Sequence, residues 1–497
     1  MNLTWPQQNP LNYQLFSEIE NYLTNSDKIR NWSFDAFQSN LLMGFELTDQ
    51  RNLEPILINL PDLLAKNLAQ LPPVSMPVES DIKVESRLNA KDLLPNQDRA
   101  SSDDISGTQN LLETYRKEEI RGKESPVVEI LKHFEHLDDP RADANREHKL
   151  GDIITIAILA VICGANHWTQ VENFGQGKHK WLSTFLELPS GIPSHDTFNR
   201  VFARLDPDQF RQGFISWVNA IRKAISEEVI AIDGKQNRRT HDKSLGKKAI
   251  HMVSAWASQN ELVFGQIKVD NKSNEITAIP KLLQMLYIKG CIITIDAMGC
   301  QKEIAARIIE KEADYVLALK GNHKNLHNDV QEIFKSIDAG AQIKFDYFNT
   351  VDKNHGRVEI RQCWSVNIED VTLNGSKEWA SFRTIALVID ERIIGEKKQK
   401  SKRFFISSLP NDAEKILNSV RSHWSIETSL HWVLDMAFRE DECRLRTGHG
   451  AQNFAMLRHL ALSLLKQEKS SKDGIQSKRL KAAWSTDYLL KILKLAS

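Results

Sequence analysis

"EEVIAIDGKQNRR", residues 227–239, places a β-branched apolar run, Val229-Ile230-Ala231-Ile232, directly before Asp233, with Gly234 and Lys235 following. Residues 291–299, "CIITIDAMG", repeat the design, with Ile292, Ile293 and Ile295 leading to Asp296 and Gly299 closing a turn. Short β-rich apolar runs bounded by turn residues read as buried strands. In open α/β sheets, ligand-binding side chains gather at the carboxyl ends of the strands. Two strands that each end on an aspartate therefore predict one shared site. Each aspartate also has a plainer reading, as a helix N-cap or turn residue.

Working outward, the segments alternate. "HMVSAWAS" and "LVFGQIKV" read as a hairpin turning at Gln259-Asn260, "EITAIPKLLQMLYIKG" as a helix ending in glycine, "QKEIAARIIEKEA" as a helix, "DYVLALKG" as a strand and "NHKNLHNDVQEIFKSI" as a helix. This predicts an α/β fold with a mixed sheet flanked by helices. Residues 341–410 are β-rich and interrupt that core, and helices are predicted over about 411–438 and 451–467, with a tail from 471 to 497. Upstream, residues 125–226 carry helical spacing with caps at Ser125, Ser194 and Asp206. Within them "GIPSHDTFNRVFARL" sets Phe198, Val201, Phe202 and Leu205 on one face and Asn199, Arg200 and Arg204 on the other. That pattern fits a DNA-recognition helix and equally a solvated amphipathic helix.

Bulk composition narrows the class. The longest apolar stretch, Ile153 to Cys163, is about half of the ~20 residues that span a bilayer, so it reads as a buried helix. The N-terminus lacks the pattern of a secretory signal. Five scattered cysteines form no CxxC pair, which argues against a disulfide framework or zinc ribbon and fits a cytoplasmic protein. The formal net charge is zero, yet residues 1–124 hold 12 Lys/Arg against 19 Asp/Glu and the remainder holds 53 against 46. An acidic extension, with a Pro-rich linker over about 72–124, precedes a basic body suited to an anionic partner.

A third acidic candidate lies in "VRSHWSIETSLHWVLDMAFREDECRLR", residues 420–446. On a helix, His423, Glu427, His431 and Asp435 recur every four residues as one polar stripe, with Trp424 and Trp432 beside it. The flanking tryptophans are expected to be partly buried, more as core than as base-stacking surfaces.

Five ordered segments now resemble the ISAs1-family DDE transposases of the IS4-like group: "IAIDGK" (230–235), "TIDAMGCQKEIAARI" (294–308), "DYVLALKGNHKNLHNDV" (314–330), "NHGRVEIR" (354–361) and "RSHWSIETSLHWVLDMAFRED" (421–441). The resemblance runs from about residue 125 to the C-terminus. It implies an RNase H-like catalytic domain, in parts 227–340 and 411–470, split by the β-rich insertion. By motif, it makes Asp233, Asp296 and Glu427 the catalytic, metal-holding triad, with Mg²⁺ as cofactor and Mn²⁺ able to substitute. It implies DNA as partner, both transposon ends and target, and a homodimer or higher assembly. Val420, His423 and Leu434 stand where many relatives carry tyrosine, arginine and lysine, which leaves Arg421 as the substitute DNA contact; His323 stands where glutamine is frequent.

Lys235, Arg238, Arg239, Lys320, Lys324, Arg357 and Arg361 are further candidates for phosphate positioning. The expected activity is cleavage at inverted-repeat ends by two-metal-ion chemistry and joining of the 3′-OH ends to a new site. Two rivals stand beside it: a catalytically inactive DNA-binding descendant, and a zinc hydrolase built on His423, Glu427 and His431.

Overall fold

A computed structural model describes residues 126–222, 227–241, 246, 248–270, 273–354 and 356–494, together with a two-residue antiparallel pairing of Ile29–Arg30 with Glu46–Leu47. The chain divides into two units, Met1–Arg99 and Ala100–Ser497. The linker expected over about 72–124, and the cap at Ser125, lie outside the described residues. Apart from that short pairing, every described element belongs to the second unit.

The centre of the second unit is a nine-stranded mixed sheet. Numbering from its first strand, β1 is Val229–Gln236, β2 His251–Ala257, β3 Leu262–Lys268, β4 Ile292–Ile295, β5 Asp314–Leu319, β6 Asp346–Asn354, β7 Arg357–Asn367, β8 Thr384–Ile394 and β9 Lys397–Ser407. The spatial order is β3-β2-β1-β4-β5-β9-β8-β7-β6. β1, β4 and β5 run parallel, and every other pairing is antiparallel. The first five strands form the RNase H-like core. The parallel strands are buried on both faces: Ile230, Ile232, Ile293 and Leu317 are wholly inaccessible, as expected for strands covered by helices on each side.

The β-rich insertion does not interrupt this sheet but extends it. Phe404 to Ser407 of β9 pair with Leu319 to Val316 of β5, so β6–β9 continue the same hydrogen-bonded surface. β5 would otherwise expose an edge of unpaired backbone groups, and the insertion closes it.

The helical region before β1 contains α1 (Pro126–Lys132), α2 (Leu150–Ile162), α3 (Trp168–Gly177), α4 (His179–Leu182), α5 (His195–Arg204) and α6 (Pro207–Ile221). Caps form where expected: the Ser194 hydroxyl accepts from Thr197 N–H, and the Asp206 carboxylate from Asp208 and Gln209 N–H. α2 is buried from Asp152 through Ile162, which is why it is apolar all round. α7 (Glu275–Met285), α8 (Lys302–Glu310) and α9 (Lys324–Asp338) flank the sheet, and α10 (Ala413–His423) packs on β1 and β4.

The C-terminal part ties these layers together. α11 (Trp432–Phe438) leads to α12 (Gly450–Gln467), which is buried over nearly its whole length and touches α2, α5, α6 and β3. Asn453 of α12 donates to the carbonyls of Phe202 (2.8 Å) and Leu205 (2.9 Å), terminating α5 against the body. Residues 475–493 fold as α13 (Ile475–Trp484) and α14 (Thr486–Leu493). The Arg479 guanidinium of α13 is buried and donates to Val161 O (2.8 Å) and Ala165 O (3.1 Å), satisfying carbonyls at the end of α2. One continuous apolar core runs from Ile130 through the sheet to Leu493.

Candidate active site

The registers of β1 and β4 bring the two aspartates together. Ile232 lies opposite Ile295, so Asp233 and Asp296 follow at the same level on adjacent parallel strands. Asp296 Oδ1 accepts from the N–H groups of Met298 (3.0 Å) and Gly299 (3.3 Å), so the turn residue and the site residue are the same carboxylate. Asn322, just beyond β5, donates to Ala297 O at 2.8 Å and fixes the loop after Asp296. His323 lies beside it, 2.6 Å from Cys300 O, with its ring edge-on to Trp379.

Asp233 is in an acidic and largely dry setting. Burial pushes its carboxyl up to about 7, and the charges of Glu275, Asp296 and Glu427 push the same way against the Gly234 N–H. Glu275 is a fourth carboxylate that the sequence does not announce, since a single glutamate at a helix start carries no spacing signature. It is buried and pairs with His251 Nε2 at 2.7 Å. A Cβ on residue 234 would run into both partners of that pair, which explains the glycine after Asp233.

Glu427 arrives from the other side. The expected helix over 411–438 is broken: Ile426–His431 form a π-helical turn between α10 and α11. Such turns close over five residues rather than four and gather at functional sites. Ser425, at its entry, is held to β2 by Trp256 Nε1 (3.0 Å) and lies 3.0 Å from Ser258 Oγ. The expected polar stripe is split as a result. Glu427 is exposed, while His423 and His431 turn toward the strands. His423 Nδ1 lies 3.0 Å from Thr294 Oγ1 on β4, and His431 Nδ1 lies 3.5 Å from Asp233 Oδ2 on β1. Burial pushes both imidazoles down to about 4, so both are neutral at physiological pH.

Trp424 and Trp432 are 45% and 61% exposed, contrary to the expectation of partial burial in a core. Both side chains stay largely outside because Ile426, Leu430, Val433 and Leu434 already fill the apolar side of the segment.

The cations named from sequence divide into two groups. Lys235 points inward, its Nζ 2.7 Å from Asp435 Oδ1, 3.2 Å from Glu440 Oε2 and 3.4 Å from Asp441 Oδ1. Burial opposes its charge, but Glu440, Asp435 and Asp441 hold the ammonium above its ordinary value. Arg357 pairs with Glu359, Arg361 with Asp352, Glu359 and Asp390, and Arg421 with Asp352 at 3.0 Å. Arg238, Arg239, Lys320 and Lys324 are exposed, although Arg238 meets Asp441 twice, through its guanidinium (3.3 Å) and its backbone N–H (3.3 Å). On α5, Arg200 and Arg204 are exposed and Asn199 is half-buried.

Among the described residues, no three His, Cys, Asp or Glu side chains stand close enough together to hold a metal ion as placed. The donor set nevertheless fits a hard divalent cation. Asp233, Asp296 and Glu427 offer carboxylate oxygens, and burial, with the neighbouring carboxylates adding to it, disfavours the charged form of Asp233 in the absence of a cation.

Comparison with known proteins places the chain among transposases. Residues 224–464 match the family described as Transposase DDE domain, and residues 131–218 match the DDE_Tnp_1-associated family. The chain is 40% identical over 371 residues, 74% of its length and 98% of the relative's, to the H repeat-associated putative transposase YhhI of Escherichia coli (strain K12). It is 40% identical over 370 residues, 74% of its length and 95% of the relative's, to the putative transposase YncI of Escherichia coli O157:H7. A shorter match, 38% over 80 residues (16% of this chain and 95% of the relative), is to the inactive transposase YbfQ of Escherichia coli (strain K12). These matches define a transposase of the DDE class. The chain belongs to this DDE transposase family.

Proposed function

We propose that this protein binds the inverted-repeat ends of a mobile element, cleaves phosphodiester bonds there and joins the freed 3′-OH ends to target DNA. The observation that carries the reading is the level pairing of Asp233 and Asp296 on parallel neighbours, with Glu427 close enough to add to the charge felt by Asp233. All three acidic positions of the family motif are present, which favours an active enzyme over an inactive descendant.

Asp233, Asp296 and Glu427 would hold Mg²⁺, or Mn²⁺ in its place. Once bound, the metal would supply an activated water and stabilise the departing 3′-oxygen. The protein's own groups do the positioning. Asp296 is fixed by two backbone N–H groups and the Asn322-braced loop, and Asp233 by its strand and the Glu275–His251 pair beneath it. Arg238, Arg239, Lys320 and Lys324, all exposed, would contact phosphates. Arg357, Arg361 and Arg421, already paired with carboxylates, serve chiefly to orient the insertion and α10. The freed 3′-hydroxyl takes the place of water in the joining step, so one set of carboxylates serves both reactions. Acting on two ends calls for two active sites, hence a dimer or higher assembly on DNA.

The zinc reading requires His423 and His431 to converge with Glu427 on one ion. Their contacts with Thr294 and Asp233 instead direct them to different strands. The test is incubation of the full chain with DNA carrying the element's ends and Mg²⁺. Nicks at the repeat boundaries and joined products support the proposal; end binding without cleavage in either Mg²⁺ or Mn²⁺ supports the inactive descendant.

A further inference from the structure

The strands of the insertion reach beyond the strands they pair with. Phe404 faces Leu319 at the carboxyl end of β5, and Asp296 lies within one residue of that level through the pairing of Ile295 with Leu317. Lys397–Arg403 therefore overhang the same sheet edge that carries the aspartates, by seven residues, or about 23 Å at ~3.3 Å per residue. β8 pairs with β9 out to Ile394 and Lys397, and β7 follows β8 out to Arg357, so the overhang is a paired wing, not a loose loop.

The overhanging part of β9, "KKQKSKR", has five cations in seven residues and no carboxylate, and Lys397 to Lys402 are all exposed. Side chains alternate along a strand. Phe404 packs against His327 and Phe334 of α9, so Lys398, Lys400 and Lys402 share the α9 face. Arg403 takes the other face, its guanidinium 5.2 Å above the Trp424 ring and paired with Asp390. The α9 face continues into an open groove lined by Lys320, His327, Lys335 and Lys402, with Asp338 as its one carboxylate. Among the described residues the insertion's arginines are largely matched to acidic partners, whereas Lys398, Lys400 and Lys402 make no ion pair.

We propose that the α9 face of this wing, through Lys398, Lys400 and Lys402 and onward along Lys320 and Lys335, is a track for the phosphate backbone of duplex DNA leading into the active site. The inference rests on the transposase reading and adds the surface along which DNA is carried. A rival account exists for lysines on an edge strand: they discourage pairing with a second chain. The two accounts differ in what salt does. Each phosphate neutralised by a cation adds about 0.9 to the negative slope of log K against log salt concentration.

The experiment measures binding of the full chain to a random-sequence duplex across salt concentrations, in EDTA so that nothing is cut. Three proteins are compared: wild type, Lys398→Gln/Lys400→Gln/Lys402→Gln, and a control, Lys281→Gln/Lys289→Gln, which removes lysines already paired with Asp270 and Glu312. The track predicts that the triple variant loses about 2.7 from the slope, at ~0.9 per contact, while the control keeps the wild-type slope. A triple variant with wild-type slope overturns the track, and self-association of that variant would assign the lysines to edge protection. A wild type that binds no duplex overturns the transposase reading beneath it, which is a separate result.

Discussion

Lys235 Nζ lies 2.7 Å from Asp435 Oδ1, and this contact pins the strand that carries Asp233 to the helical segment that carries Glu427. Lys235 is two residues beyond Asp233 on the same face of β1; Asp435 is eight residues beyond Glu427. Glu440 and Asp441, which follow the left-handed turn at Arg439 (φ 50°), complete the grip on the ammonium.

Lys235→Met strips Asp435 of its cation and leaves the buried Glu440 with Arg458 alone at 3.8 Å and Asp441 with Arg238 at 3.3 Å. The expected loss of stability is on the order of 3 kcal/mol, since breaking a buried pair from one side strands the remaining charge. Adding Asp435→Asn should recover part of it, so that the double variant is less destabilised than the summed singles by about 1 kcal/mol, a coupling typical of groups in contact. Chemical denaturation of the four proteins of the cycle measures this; strict additivity would show that the contact does not hold strand and helix together.

The Asp233 carboxyl, pushed up to about 7, makes a second forecast. A carboxyl raised in the folded state holds its proton more readily there than in the unfolded chain, so its contribution to stability falls as pH rises from its ordinary value near 4 to about 7. Asp233→Asn has nothing to titrate. Without metal, the variant should match wild type near pH 4 and melt progressively higher than wild type up to pH 7, with the gap constant above. Mg²⁺ or Mn²⁺ should narrow that gap by stabilising wild type alone. Melting curves in EDTA across pH, then with metal, decide it; a variant that melts below wild type at pH 8 contradicts the placement of Asp233 in an acidic cluster.

Much of this site can be read in the sequence, because its geometry is local. A β-branched run leading into Asp-Gly names its own strand and the level of its carboxylate; β4 does stop at Ile295, just before Asp296, whereas β1 runs on past Asp233 to Gln236 because its antiparallel pairing with β2 continues there. What escapes is set by partners far along the chain. The continuity of the insertion with the core depends on Phe404 meeting Leu319, and no periodicity announces that pairing. Lys235 reads as a free cation until Asp435, Glu440 and Asp441 fold onto it from about 200 residues away. The π turn is equally invisible, since four-residue spacing in "HWSIETSLH" suits an ordinary helix until Ser425 is drawn to Trp256. Trp424 and Trp432 run against expectation because aromatic bulk signals burial on average, whereas the apolar side of this segment is already full.

Replacing the three polar residues of the π-turn region separates the metal readings. Glu427→Gln removes a hard oxygen donor and should lower end cleavage by at least ~100-fold, roughly the loss of an essential ligand or its support. His423→Ala and His431→Ala should retain partial activity, since each loses a packing and hydrogen-bond partner rather than a metal donor. End-cleavage rates with metal content measured alongside give the ranking. Activity kept in Glu427→Gln, lost in both histidine variants and accompanied by stoichiometric zinc would reverse the assignment.

The most direct test of the central claim is strand cleavage by Asp296→Asn on end-bearing DNA in Mg²⁺, with end binding followed in the same samples. Phosphate contacts supply most of the affinity, so binding should stay near the wild-type level while nicking falls to background. Near-normal nicking by Asp296→Asn would contradict the account, because the carboxylate level with Asp233 would then have no part in the chemistry.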